Sequence, residues 1–240
     1  MNLTPDAIVY WESGSIKITA TLAFTWIVMA FLVLGCGLVT RRLSTVPTVS
    51  RGQLFLEILL EGIRTQIRDA TQMDSDRYLP FIGTLFLFIA VSNVLVIIPG
   101  FQPPTGSLST TSALALCVFV AVPVFAISAR GVGAFLKSYI QPNVFMLPFN
   151  VIGELTRTIS LSIRLFGNMM SGTMIAAIAL AIAPLFFPII MNALGLLIGL
   201  IQAYIFSILA LVFIASAARA HEAPRAEASN VEGEAVHGKP

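Results

Sequence analysis

LSIRLFGNMMSG, residues 161–172, decides how this chain folds, because its Arg164 is followed by 54 residues, 165–218, without Asp, Glu, Lys or Arg. An apolar run of that length belongs in a bilayer, so a cation has been placed inside a membrane protein. Arginine at the centre of a transmembrane helix costs about 2.5 to 3.5 kcal/mol on insertion scales, and such residues face a partner, a cavity or an ion path.

The composition agrees. Hydrophobic residues make up 57% of the chain and charged residues 11%, with a mean hydropathy of +0.89. Fourteen Lys and Arg against 12 Asp and Glu leave a formal charge of +2, too small and dispersed for a nucleic-acid partner. Cys36 and Cys117 lie in separate apolar runs and read as small packing residues, not as a disulfide or metal site. No phosphate loop, no metal-ligand cluster and no membrane-embedded His or Cys near a candidate nucleophile is present, so no metal and no cofactor are expected.

About 20 apolar residues cross the hydrocarbon, and that length divides the chain. Residues 18–40 are uncharged and end at Arg41 and Arg42; lacking a small-residue cleavage site, they read as a retained helix. Arg77 and Arg130 bracket 52 uncharged residues, which PGFQPPTGSLS (99–109) splits into spans at 78–98 and 110–129. Residues 145–218 hold two extended helices, with a turn at Ala183-Pro184 and Pro188. The expected fold is an all-α integral membrane protein with five transmembrane helices, the last two long and tilted.

A sixth helix differs in kind. In residues 51–70, Leu56, Leu59, Leu60, Ile63, Ile67 and Ala70 share one helical face and Glu57, Glu61, Arg64 and Arg68 another. This predicts an amphipathic helix on the cytoplasmic membrane surface, an interfacial anchor, a docking face for a partner subunit, or both. Arg41, Arg42, Arg51, Arg64 and Arg68 follow the first span, and only Lys17 precedes it, which puts the amino terminus outside. The chain then divides into an external segment (1–17), the first span with the surface helix (18–76), a membrane domain (77–218) and a cytoplasmic tail (219–240). The tail, with His221 and His237, has the composition of a disordered segment.

Buried polar residues carry whatever chemistry there is. Asn150, Glu154, Arg157, Arg164 and Asn168 are spaced by 4, 3, 7 and 4, all helical repeats. This polar stripe covers about 27 Å, with Leu161 interrupting its middle and Ser160 toward its edge. Glu154 and Arg157 are placed to pair at i, i+3. Arg164 has no acid nearby in sequence, so its counter-charge comes from outside the chain or from water. On the last helix Asn192, Gly195, Gly199, Gln202 and Phe206 form a second stripe, and its GxxxG permits close helix approach. If the two long helices pack antiparallel, the Gln202 amide can reach Asn168 or Arg164.

SLSIRLFGNMMSG, preceded by GELTRTI and followed by IQAYIFSILALVFIASA, resembles subunit a of F-type ATP synthases, as do YLPFIGTLFLFIAVSNVLVIIPGF and TTSALAL. The resemblance covers roughly residues 78–218. It implies a stator subunit in a bacterial inner membrane, facing a rotating c-subunit ring and joined by a b-subunit peripheral stalk. H+ or Na+ would pass through two offset half-channels, making 77–218 the ion-translocating domain, while ATP is handled on other subunits. Arg164 matches the family's essential arginine, and Asn168 and Gln202 match polar positions near it. Glu154 resembles an acid of the cytoplasmic half-channel, with the alternative that it only neutralises Arg157. Many members carry a Glu or His nine residues after the arginine or seven before the glutamine. Here Thr173 and Gly195 stand there, so the external path would rely on water beside Thr173, Gly195 and Asn192, or would carry hydrated Na+. A secondary transporter binding an anion at Arg164 is the competing reading, but the chain lacks an internal repeat. A scaffold without transport would give no reason for embedded charges.

Overall fold

The uncharged runs become helices. The computed structural model describes residues 9–13, 16–40, 51–71, 75–98, 101–133, 135–136, 145–182 and 187–219. Its helices are α1 (Ala20–Thr40), α2 (Arg51–Thr71), α3 (Ser75–Val94), α4 (Leu108–Arg130), α5 (Met146–Ile182) and α6 (Phe187–Arg219). Among the described residues five helices, all but α2, are long and apolar enough to cross a membrane. The all-α architecture of five spans plus an amphipathic helix is therefore the one observed. The expected turn at Ala183-Pro184, Arg41 and Arg42, and the tail beyond Arg219 with His221 and His237 lie outside the described residues.

One element is added. Val9–Ser13 (β1) and Ile16–Thr19 (β2) pair antiparallel, with a register shift between Val9 and Trp11, so α1 starts at Ala20 where a span from residue 18 was expected. Both strands are rich in β-branched and aromatic residues, which favour extended backbone. At four and five residues they are too short to register beside an adjacent apolar run.

Helix α5 has 37 residues and α6 has 33, about 55 and 50 Å at the α-helical rise. Both exceed the roughly 30 Å of hydrocarbon and must tilt or project from it. Helix α6 lies at the centre, packed on α3, α4 and α5, with Phe206, Leu211 and Ile214 fully buried against Ile89 of α3 and Leu165 of α5. Ser92, Thr158 and Ser207 hydroxyls donate back to the carbonyls of Phe88, Glu154 and Ala203 at 2.7, 3.0 and 2.9 Å, which spares them an unsatisfied place in an apolar medium. The Ser107 side chain caps α4 by accepting from the Ser109 amide. Gly131, at φ +85°, ends it by donating its amide to Ile127 O, a backbone turn that glycine adopts without strain.

The apolar face of α2 is partly covered by this chain itself. Ile67 is fully buried and Ile63 partly buried in the shared core, while Leu54 and Ile58 stay exposed. Arg64 bridges Glu61 at 3.5 Å and Asp76 of α3 at 2.9 Å, and Tyr204 of α6 donates to Gln66 at 2.9 Å. Cys36 and Cys117 form no disulfide; Cys117, expected to pack, faces outward from α4.

Candidate functional site

The polar stripes meet along the α5–α6 pair. Residues 168–176 share a cavity with 191–198, and 149–161 share another with 213–217, so the two long helices run antiparallel. Leu161, Ser162 and Leu165 turn inward from α5 and are buried. Arg164 turns outward instead, and makes no hydrogen bond or ion pair with any described residue. Beside it a strip of α5 is low: Gly153 is half-buried and Thr156, Ser160, Gly167 and Ser171 are exposed, with Ile163 the large side chain within the strip and exposed Leu155 and Ile159 flanking it.

Two separate cavities flank that arginine. The first, about 370 Å³, takes Asn150, Glu154, Arg157 and Leu161 from α5 and Phe213 and Ser216 from α6. The second, about 170 Å³, takes Asn168, Ser171 and Thr173 from α5, Asn192 and Gly195 from α6, and Asn93 from α3. Arg164 lines neither and stands between the last α5 residue of one and the first of the other. The wall of the first holds a carboxylate and a guanidinium. The wall of the second is built from amides, hydroxyls and apolar groups and, among its lining residues, holds no ionisable side chain.

Several expected contacts are replaced. Glu154 and Arg157 form no ion pair among the described residues; Arg157 sits over the Phe213 ring, 5.5 Å from its centroid, a cation–π contact supplied by α6. Gln202 bonds neither Asn168 nor Arg164. It is 6% exposed, and its Nε2 is buried without an acceptor among the described residues. The GxxxG does not act as a pair: a Cβ at Gly195 would meet nothing within 4 Å, whereas at Gly199 it would lie 2.9 Å from Asn93 Cγ. The close approach is therefore between α6 and α3.

Asn93 was missed. It is 3% exposed and donates from Nδ2 to Gly199 O at 2.7 Å. The available signal was a lone amide in the apolar span 78–98, the same argument that singled out Arg164. A hydroxyl cluster also escaped notice, in which Ser162 contacts Ser112 at 3.2 Å and Thr111 at 3.4 Å.

Comparison with known proteins identifies the family. The chain is 58% identical to ATP synthase subunit a 2 of Acaryochloris marina over 219 residues, 91% of this chain and 94% of that one. It is 56% identical to ATP synthase subunit a of Albidiferax ferrireducens, covering 91% and 95%, and 56% identical to ATP synthase subunit a 1 of Chlorobaculum parvum, covering 92% and 98%. The family model described as ATP synthase A chain matches residues 22–215. A match that takes in all five spans, with relatives similar over nearly their whole length, places this chain in the ATP synthase A chain family.

Proposed function

We propose that this chain is the stationary face against which a ring of c subunits turns, and that Arg164 is the fixed charge each ring carboxylate meets. The observation that carries the reading is the position of Arg164: outward, without an acceptor among the described residues, between two separate cavities. As a member of this family the chain is a non-catalytic membrane subunit, and ATP chemistry belongs to other subunits.

The mechanism follows from electrostatics. In a medium of low dielectric a guanidinium strongly favours the ionised form of a carboxylate brought near it, so a loaded ring site releases its ion as it approaches Arg164. The same charge repels a cation trying to pass directly from one cavity to the other. Ions therefore cross by riding the ring between the second cavity, with Asn168, Thr173, Asn192 and Gly195, and the first, with Asn150, Glu154 and Arg157. The low outward face of α5 suits close approach by a ring helix.

Residues 77–218 form the translocating domain in this reading, within a bacterial inner membrane and beside a b-subunit peripheral stalk. The amino terminus lies outside, and 219–240 in the cytoplasm. Thr173 and Gly195 do not titrate in the working range, so the external path relies on water held by amides and hydroxyls or carries hydrated Na+. The family relationship does not favour the secondary-transporter reading.

ATP-driven ion uptake by proteoliposomes holding the whole complex tests the proposal, with the unmodified chain and with Arg164→Ala, each with and without Na+. Loss of uptake in an assembled Arg164→Ala complex is expected, and the sodium dependence of the unmodified complex names the ion. Undiminished uptake would make the arginine structural and overturn the mechanism.

A further inference from the structure

Two buried polar atoms on facing helices complement each other. Only the NH2 end of an amide can donate to a carbonyl, so the 2.7 Å contact from Asn93 Nδ2 to Gly199 O orients the whole group. Asn93 Oδ1 is thereby left buried, with no donor among the described residues. Gln202 Nε2 is buried with no acceptor among the described residues. Helical carbonyls point toward the following turn, so Asn93 is drawn to the turn of α6 that begins at Gly199 and contains Gln202. A free acceptor and a free donor beside one turn are what a single internal water satisfies, and buried polar groups are rarely left without such a partner. Water both donates and accepts, so it serves either orientation of the Gln202 amide.

The position gives this bridge a role. Asn93 lines the second cavity, while Gln202 lines neither. The antiparallel pairing of 168–176 with 191–198 and of 149–161 with 213–217 sets Gln202 opposite the turn of α5 that holds Arg164. We infer that Asn93 is a positioning residue of the ion path: clamped on Gly199, its amide holds an internal water against Gln202 and extends the second cavity to the level of Arg164. The inference rests on the stator reading above.

Three variants of the whole complex, each checked for assembly and ATP hydrolysis, test it by ATP-driven uptake. Asn93→Leu keeps the branched shape and removes both polar ends; uptake falls about tenfold, the effect of losing one buried hydrogen-bonded link. Asn93→Asp puts a carboxyl into a cavity wall whose lining residues otherwise hold no titratable group, with Arg164 the fixed charge beyond it. Uptake then acquires a sigmoidal dependence on the pH of the second cavity's side, a signature that a packing role for Asn93 does not produce. Normal uptake by an assembled Asn93→Leu complex overturns the inference, and so does an unaltered pH profile in Asn93→Asp. If these variants do not assemble, a high-resolution map of the unmodified complex decides: an ordered water within hydrogen-bond distance of both amides is expected, and amides bonded directly or turned apart overturn it. Arg164→Ala in the same preparation separates the two levels, since uptake that survives there defeats the stator reading, whereas its loss beside a normal Asn93→Leu defeats the water bridge alone.

Discussion

Asn93 and Gly199 join α3 to α6 at a point where only hydrogen fits, the amide nitrogen 2.7 Å from the carbonyl and any Cβ at 199 only 2.9 Å from Asn93 Cγ. Both are buried, so neither helix can yield without disturbing the core around Phe206 and Ile89. Gly199→Ala should therefore lower stability by about 1 to 3 kcal/mol, the cost of overpacking. Gly195→Ala, whose new methyl meets nothing within 4 Å, should leave assembly unchanged. Thermal aggregation of the purified complex, read for the two side by side, checks the contrast; equal effects would mean that both glycines pack.

Glu154 is half-buried in the wall of the larger cavity, and Arg157 is engaged elsewhere. In an assembled complex Glu154→Gln should slow uptake, by up to about a hundredfold if the carboxylate relays protons. Unchanged pumping would leave it only a structural part.

Phe213→Leu tests the cation–π contact. The ring lies 5.5 Å from Arg157, which is itself exposed in the isolated chain, so about 0.5 to 1 kcal/mol is at stake. A small drop in the thermal midpoint with the complex still assembled is expected. A loss of assembly would assign Phe213 a larger share of the α4–α5–α6 core.

Tyr204 and Gln66 tie the surface helix to the centre of the bundle at 2.9 Å. Tyr204→Phe removes one hydrogen bond, worth roughly 0.5 to 1.5 kcal/mol and toward the low end for an exposed pair. Hydrogen exchange in α2 should quicken while α3 and α6 stay protected. Unchanged exchange would mean that Ile63 and Ile67 alone dock the helix.

The spans were legible because an uncharged run is a direct measure of bilayer thickness, and the polar stripe because one helix fixes its own periodicity. Neither reports how a neighbouring helix is rotated. Spacing placed Glu154 within reach of Arg157, but it could not show Phe213 arriving from α6. It set Gln202 on the face of Gly199 and left open that this face meets Asn93 instead of Asn168. Arg164 was legible as a cation without an acid nearby, and its outward direction follows once Leu161 and Leu165 take the inward one. The ribbon at Val9–Thr19 escaped because strands so short carry too few alternations to stand out.

The small side chains on the outward face of α5 bear on friction. Large side chains interlock as ridges in grooves, and moving one helix past another then means climbing out of each register in turn. Gly153, Thr156, Ser160, Gly167 and Ser171 raise little relief, so a helix passing sideways over this strip meets low corrugation, with Ile163 and Arg164 standing up within it and exposed Leu155 and Ile159 flanking it. If the stator reading holds, the resistance to each step on such a surface comes from charge more than from shape, and whether the passing group is ionised sets the landscape of motion.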